Sequence, residues 1–264
     1  MLALILLLAM RAGAGALRAH NPGMTDNPCP AITSPGLEKL RLTLMVIGGE
    51  QPRLEDWAGI CNFSADNLRL QKAGIRPDTV FIGDSITWEW SGAEPGLFSD
   101  RMVNRGIGGQ GTPQVLARFY SDVVSLQPRK VHLLIGLNDI AGISGPASFD
   151  LYQGNVRSMV EIARANHIAV IIGALPPSRK PQLNGGADPG PQIEQVNRWL
   201  AKFAAEEHLV FADYHAALAA NDGSPKQGMS SDGTHLTRAA YYAVEPIMQA
   251  ALAQTNPGPS SQPR

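Results

Sequence analysis

Thr79-Val80-Phe81-Ile82-Gly83-Asp84-Ser85-Ile86-Thr87 opens on four strand-favouring residues and then runs into Gly-Asp-Ser. The apolar run is continuous rather than alternating, as in a strand buried on both faces of a parallel sheet. Four further short runs read as strands, most of them continuously apolar: Arg101–Asn104, Lys130–Ile135, Ile168–Leu175 and Leu209–Asp213. Between and after them lie amphipathic helical patterns. Thr112 is read as the cap and Pro113 as the first residue of one, with Val115, Leu116, Phe119 and Val123 on its apolar face. A second spans about Ser148–Asn166, with Tyr152, Val156, Met159, Val160 and Ala163 on one side. A third begins at Pro191 and carries Ile193, Val196, Leu200 and Phe203. The last follows Thr237 and carries Ala240, Val244, Ile247, Met248 and Ala251, with Pro246 inside it. Repeated β-α units define an α/β fold with a doubly wound parallel sheet, whose ligand is expected outside the carboxyl ends of the strands.

Composition narrows the partners. The 264 residues carry 22 Lys+Arg against 23 Asp+Glu, a formal charge of -1, and 44% hydrophobic residues. Without a basic stripe, nucleic acid is not an expected partner. Glycine and proline stand at about 10% and 8%, above the usual 7% and 5% or so, and the excess belongs in loops, where function concentrates.

The ends read differently from the middle. Met1–Met10 (MLALILLLAM) is apolar and too short to span a bilayer, and Ala12, Ala14 and Ala16 after Arg11 give A-x-A-like sites. Residues 1–19 are therefore expected to be a secretory signal peptide, although no Lys or Arg precedes the apolar run, and the protein is expected to be secreted or periplasmic without a membrane span. Residues 254–264 read as a disordered tail. A single domain over 20–253 is expected, with 20–77 as a helical and irregular lead-in. Cys29 and Cys61 are the two cysteines; after export they can pair, or remain as two buried thiols. His20, His132, His167 and His208 have no metal-ligand spacing, and no metal or cofactor is expected.

Four blocks carry chemistry. Ser85 lies just past the end of the first strand, where its hydroxyl is at the sheet edge; alone, Gly-Asp-Ser is equally a capped turn. Asn104-Arg-Gly-Ile-Gly-Gly-Gln-Gly-Thr112 ends the second strand with glycines that admit a ligand close to backbone N–H groups. Gly106, Gly108 and Gly111 also match G-x-G-x-x-G, but this block follows the second strand and lacks an acidic strand end about 20 residues on, so a dinucleotide is not implied. Gly136-Leu-Asn138-Asp139 ends the third strand, and an Asn there is either a donor into the site or a turn residue. Ser231-Asp232-Gly-Thr-His235-Leu-Thr237 precedes the last helix; its Asp and His, three apart, can form a carboxylate–imidazole pair or simply a solvated turn. Asp213 and His215, after the fifth strand, form a competing pair.

In this order the four blocks resemble the GDSL/SGNH hydrolase superfamily of serine esterases and lipases, over about Thr79–Leu252. The resemblance implies a three-layer, flavodoxin-like five-stranded sheet in the order 2-1-3-4-5. It implies Ser85, Asp232 and His235 as catalytic triad, and the backbone N–H groups of Ser85 and Gly109 with the side chain of Asn138 as oxyanion hole. This chain departs from the family's pattern at Leu236, where Pro commonly follows the His, at Ala240 before Tyr241, where Gly is common, and at Leu137, where Thr is common. The expected partner is a small-molecule or carbohydrate ester, with O-acetyl groups on sugars first. The same residues also suit a lysophospholipase, a thioesterase or an O-acyltransferase. Trp88 and Trp90 are candidate substrate-binding residues, to stack on a sugar or line an acyl pocket, or to pack against the lead-in. Arg179 and Lys180, in the long Pro176–Pro191 loop, read as solvated.

Overall fold

The computed structural model describes Cys29, residues 56–179 and residues 187–254. The expected signal peptide, most of the lead-in, Lys180 and residues 255–264 lie outside the described residues. Five parallel strands form one sheet: β1 (Thr79–Gly83), β2 (Met102–Gly106), β3 (Lys130–Leu134), β4 (Ala169–Gly173) and β5 (Val210–Ala212), in the order β2-β1-β3-β4-β5. This is the order implied by the family resemblance. β1 pairs with both β2 and β3, so the strand that ends at Gly83 runs through the sheet interior and is buried at every position. β2 is an edge strand, and its burial alternates through Val103 and Asn104 rather than running continuously.

Around the sheet lie α1 (Ser64–Lys72), α2 (Ser85–Ala93), α3 (Thr112–Asp122), α4 (Leu137–Ala141), α5 (Phe149–Ala165), α6 (Gly190–Glu206), α7 (Tyr214–Leu218) and α8 (Arg238–Ala253). The chain steps one way from β1 to β2 and the other way through β3, β4 and β5. Right-handed crossovers therefore place α2 on one face and α3, α5 and α6 on the other. Helix contacts agree: α2 touches α8, while α3 touches α5. The expected apolar faces are the buried ones, among them Val115 and Phe119 on α3, Val156 and Met159 on α5, Ile193 and Leu200 on α6, and Val244 and Met248 on α8. Among the described residues, no helix is long and apolar enough to cross a membrane.

Two details differ from expectation. Thr112 is the first residue of α3, not its cap; the extended residue before the helix is Gly111. The Thr112 hydroxyl is engaged elsewhere, donating to Asp139 Oδ1 at 2.5 Å. Trp90, a candidate ligand-stacking residue, is 1% exposed. It sits on the core side of α2 against Phe81, His132, Tyr214 and Tyr241, with ring centroids 5.3–5.9 Å away. Its indole Nε1 donates to the buried Glu94 carboxylate at 2.9 Å. Substrate does not reach it, and its aromatic area stabilises the α2–sheet–α8 contact instead.

Candidate active site

The carboxyl ends of β1, β2 and β3 lie side by side, and three of the four blocks leave from them. After β1 the chain turns at once into α2. Asp84 is the helix cap, its Oδ1 accepting from Ile86 N at 2.9 Å, and Ser85 is the first helical residue. The turn requires glycine before it. A Cβ at Gly83 would stand 2.1 Å from the Leu134 carbonyl oxygen, and one at Gly106 only 2.2 Å from Trp88 N. Gly83 lets β1 and β3 run close together, and Gly106 lets β2 close on α2.

Ser85 Oγ lies 3.1 Å from His235 Nε2, and His235 Nδ1 lies 3.0 Å from Asp232 Oδ2. A carboxylate only accepts hydrogen bonds, so Nδ1 carries the proton and Nε2 presents its lone pair to the serine hydroxyl. The Asp–His turn is held by its own backbone. Asp232 Oδ1 accepts from Thr234 N at 3.0 Å and His235 N at 2.8 Å, while Ser230 Oγ donates to the His235 carbonyl at 2.9 Å and accepts from Gly233 N. The loop after β4 braces it further: Arg179 N donates to the Gly233 carbonyl, and Ser178 and Thr234 hydroxyls meet at 2.8 Å. Thr237 then caps α8.

The second and third blocks meet beside Ser85. A Cβ at Gly108 would be 3.8 Å from Ser85 Cβ, and Gly109 has φ +77°, a left-handed conformation that suits glycine. Asn138 Nδ2 donates to the Gln110 carbonyl at 2.9 Å. Asp139 joins the same two blocks more tightly, accepting from both the N–H and the hydroxyl of Thr112. Burial raises the Asp139 carboxyl above its ordinary range, against the bonds from Thr112. Burial likewise pushes Asp84 up to about 7; the Ile86 N–H opposes the shift and the nearby Asp139 adds to it.

Ser85, His235, Asp232, Gly109 and Asn138 thus gather at one sheet edge. The competing pair is engaged elsewhere: Asp213 caps α7 through Ala216 N, and burial lowers the neighbouring His215. Trp88 is 47% exposed on α2, one turn after Ser85. Arg179 is exposed, as its loop position suggests, and is bound to Asp188 and to the Asp222 carbonyl. Sequence reasoning passed over Glu89, four residues after Ser85 on α2. Its carboxyl is raised by burial and by Asp232 and opposed by His235, so it contributes to the electrostatics of the pair. The i,i+4 spacing from Ser85 was the available signal. It also passed over Gln110 and Arg118, which bond to each other and to backbone carbonyls up to 52 residues away. Among the described residues, no cluster of His, Cys, Asp or Glu could hold a metal.

The site is thus framed by a doubly wound parallel sheet, with polar groups at the ends of β1, β2 and β3. The chain belongs to the GDSL-like lipase/acylhydrolase family, whose model matches residues 81–243. Among solved structures it is similar to a candidate acylhydrolase from Bacteroides fragilis NCTC 9343, at 34% identity and TM-score 0.69 over 74% of this chain and 96% of that one. A GDSL-like lipase from Bacteroides thetaiotaomicron VPI-5482 aligns at 29% identity and TM-score 0.69, over 74% and 98% of the two chains. An acetylxylan esterase from Geobacillus stearothermophilus shares the fold at 20% identity and TM-score 0.54, over 69% and 97%. No curated protein matches the chain.

Proposed function

We propose that this chain is a serine esterase that hydrolyses small carboxylic esters through an acyl-enzyme on Ser85, with O-acetyl groups on carbohydrates as the first substrate class. The observation that carries the reading is the run of contacts Ser85 Oγ–His235 Nε2 at 3.1 Å and His235 Nδ1–Asp232 Oδ2 at 3.0 Å. His235 takes the hydroxyl proton as Ser85 Oγ attacks the ester carbonyl carbon, and Asp232 stabilises the imidazolium that forms. Negative charge on the carbonyl oxygen is met by the N–H groups of Ser85 and Gly109 and by the Asn138 amide. Ser85 N–H is suited to this because, at the first position of α2, it has no intrahelical acceptor. His235 then gives its proton to the departing alcohol, and water attacks the acyl-enzyme by the same route in reverse.

The substrate class draws support from Trp88, whose exposed ring one turn past Ser85 offers a stacking surface for a sugar. Export is part of the proposal, and it is supported by both cysteines being disulfide-bonded, a state that persists in oxidising compartments. A panel of p-nitrophenyl esters from acetate to palmitate, beside acetylated sugars, tests the substrate class; a preference for long chains, or acyl transfer to an added alcohol outrunning hydrolysis, overturns it. Ser85→Ala should abolish hydrolysis and fluorophosphonate labelling, and wild-type turnover by that variant refutes the nucleophile. A rate that is flat from about pH 5 to 9 refutes His235 as base.

A further inference from the structure

The Asn138 side chain has two N–H bonds, and one is committed to the main-chain carbonyl of Gln110. That bond sets the plane of the amide and thereby the direction of its second hydrogen. What holds the Gln110 carbonyl in place is therefore a question about the oxyanion hole.

The Gln110 side chain is 4% exposed and bonded through both its oxygen and its nitrogen. Its Oε1 accepts from Arg118 Nε at 2.7 Å, and its Nε2 donates to the Ala58 carbonyl at 2.8 Å. Arg118 can only donate and a carbonyl can only accept, so the amide cannot flip. The Arg118 guanidinium is fully buried and fixed on its other sides. It donates to the carbonyls of Gly83, at the end of β1, and Arg105, in β2, and pairs with Asp122. The Ala58 carbonyl belongs to a tight turn. Asp56 accepts from Gly59, Ile60 and Cys61 N–H groups there, and Gln114 Nε2 reaches the Trp57 carbonyl. Gln110 is thus clamped between a cation set into the strand ends and a turn outside the five-stranded sheet.

We infer that Gln110 is a positioning residue for the oxyanion hole: its buried side chain, held between Arg118 and the Asp56–Cys61 turn, fixes the main-chain carbonyl that orients the Asn138 amide. The inference rests on the reading of Asn138 as an oxyanion donor. The outer turn is thereby part of the catalytic apparatus although it contributes no group to the ester.

A double-mutant cycle on the full-length chain tests it, using Gln110→Met, Asn138→Ala and the pair, with p-nitrophenyl acetate as substrate and urea unfolding alongside. Removing a side-chain oxyanion donor typically costs about 10²–10³ in kcat, and Gln110→Met should cost about 10-fold or more of that range, with KM changed less than about 2-fold. In the Asn138→Ala background, Gln110→Met should then cost less than about 2-fold, because the amide it orients is gone. Gln110→Glu keeps an acceptor for Arg118, adds a charge beside that cation, and turns an oxygen rather than a donor toward Ala58. It should show a smaller loss of the same kind, and it replaces Gln110→Met in the cycle if the methionine variant does not fold. Wild-type kcat in both Gln110 variants, or losses that multiply in the double variant, overturn the inference. Wild-type kcat in Asn138→Ala overturns the oxyanion reading and this inference with it. Loss in Asn138→Ala without loss at Gln110 overturns this inference alone.

Discussion

Replacing Arg118 by Met removes the guanidinium and keeps much of its length. Arg118 and Asp122 have fully buried side chains 2.9 Å apart, one turn apart on α3. Burial works against the charged form of each, lowering Arg118 and raising Asp122, while each opposes the shift in the other. Removing one member of such a pair typically costs about 3–5 kcal/mol, because the other remains as an uncompensated charge. Asp122 keeps a donor in Asn67 Nδ2 at 2.8 Å, which favours the lower half of that range. Gln110 Oε1 loses its donor, at about 1–3 kcal/mol for an unsatisfied buried acceptor, whereas Gly83 O still receives Ile107 N at 3.1 Å and the Arg105 carbonyl keeps its place in the β1–β2 ladder. Neighbouring terms are not additive, so the expected loss is about 4–6 kcal/mol, a large part of a typical domain's 5–15 or so. Equilibrium urea unfolding measures it. In the variant Asp122 is raised further, so the native state binds more protons than the unfolded one, and stability falls as pH rises. The loss should accordingly be smaller near pH 5 than near pH 8. Adding Asp122→Leu should recover part of it, since the charge is then gone. A loss below about 1 kcal/mol, or a double variant weaker than Arg118→Met, refutes the reasoning.

Three other outcomes can be measured directly. Burial pushes His132 down to about 3, so its neutral form is native while the unfolded chain binds a proton below about 6.5. Its contribution is therefore lost as pH falls from about 6.5 toward 3, and His132→Gln should flatten the acid limb of urea-midpoint against pH; an unchanged limb contradicts this. Asp84, pushed up to about 7 by burial, has the opposite sign: stability is lost as pH rises from about 3.8 through 7, and Asp84→Asn, which retains a capping oxygen, should remove that decline while leaving α2 intact by circular dichroism. Gly106→Ala should destabilise by about 2 kcal/mol or more, because the new methyl meets backbone atoms of Trp88 rather than a movable side chain; a denaturation midpoint equal to wild type contradicts it.

The long amphipathic helices were legible because α3, α5, α6 and α8 each repeat apolar residues over several turns. Helix α2 was not read as a helix. Its nine residues place Trp88 outward and Trp90 inward, and an aromatic pair two apart has the spacing of a strand rather than of a helix. The five-residue helices α4 and α7 are shorter than any window in which a period can be seen. Site residues on strand ends could be read because each block travels as a contiguous motif. Gln110 could not, since its partners are an arginine eight residues on and a backbone carbonyl 52 residues back. Trp90 shows the same limit: an aromatic near a nucleophile looks alike whether it faces the ligand or the sheet. Thr112 combines both cases, a residue with a capping side chain whose hydroxyl is taken by an aspartate 27 residues away.

Asp232 and His235 share one turn, and the hydrogen bonds that set their mutual geometry lie almost entirely within residues 230–235. A small displacement of this turn would carry the imidazole and its carboxylate together as a preassembled cartridge. The Ser85 contact would break while the Asp–His pair stayed whole, in water, at the partly exposed rim. Disengagement therefore strands no buried charge, and what it must break is the 3.1 Å Ser85 contact together with the Arg179–Gly233 and Ser178–Thr234 bonds that tie the turn to the loop after β4.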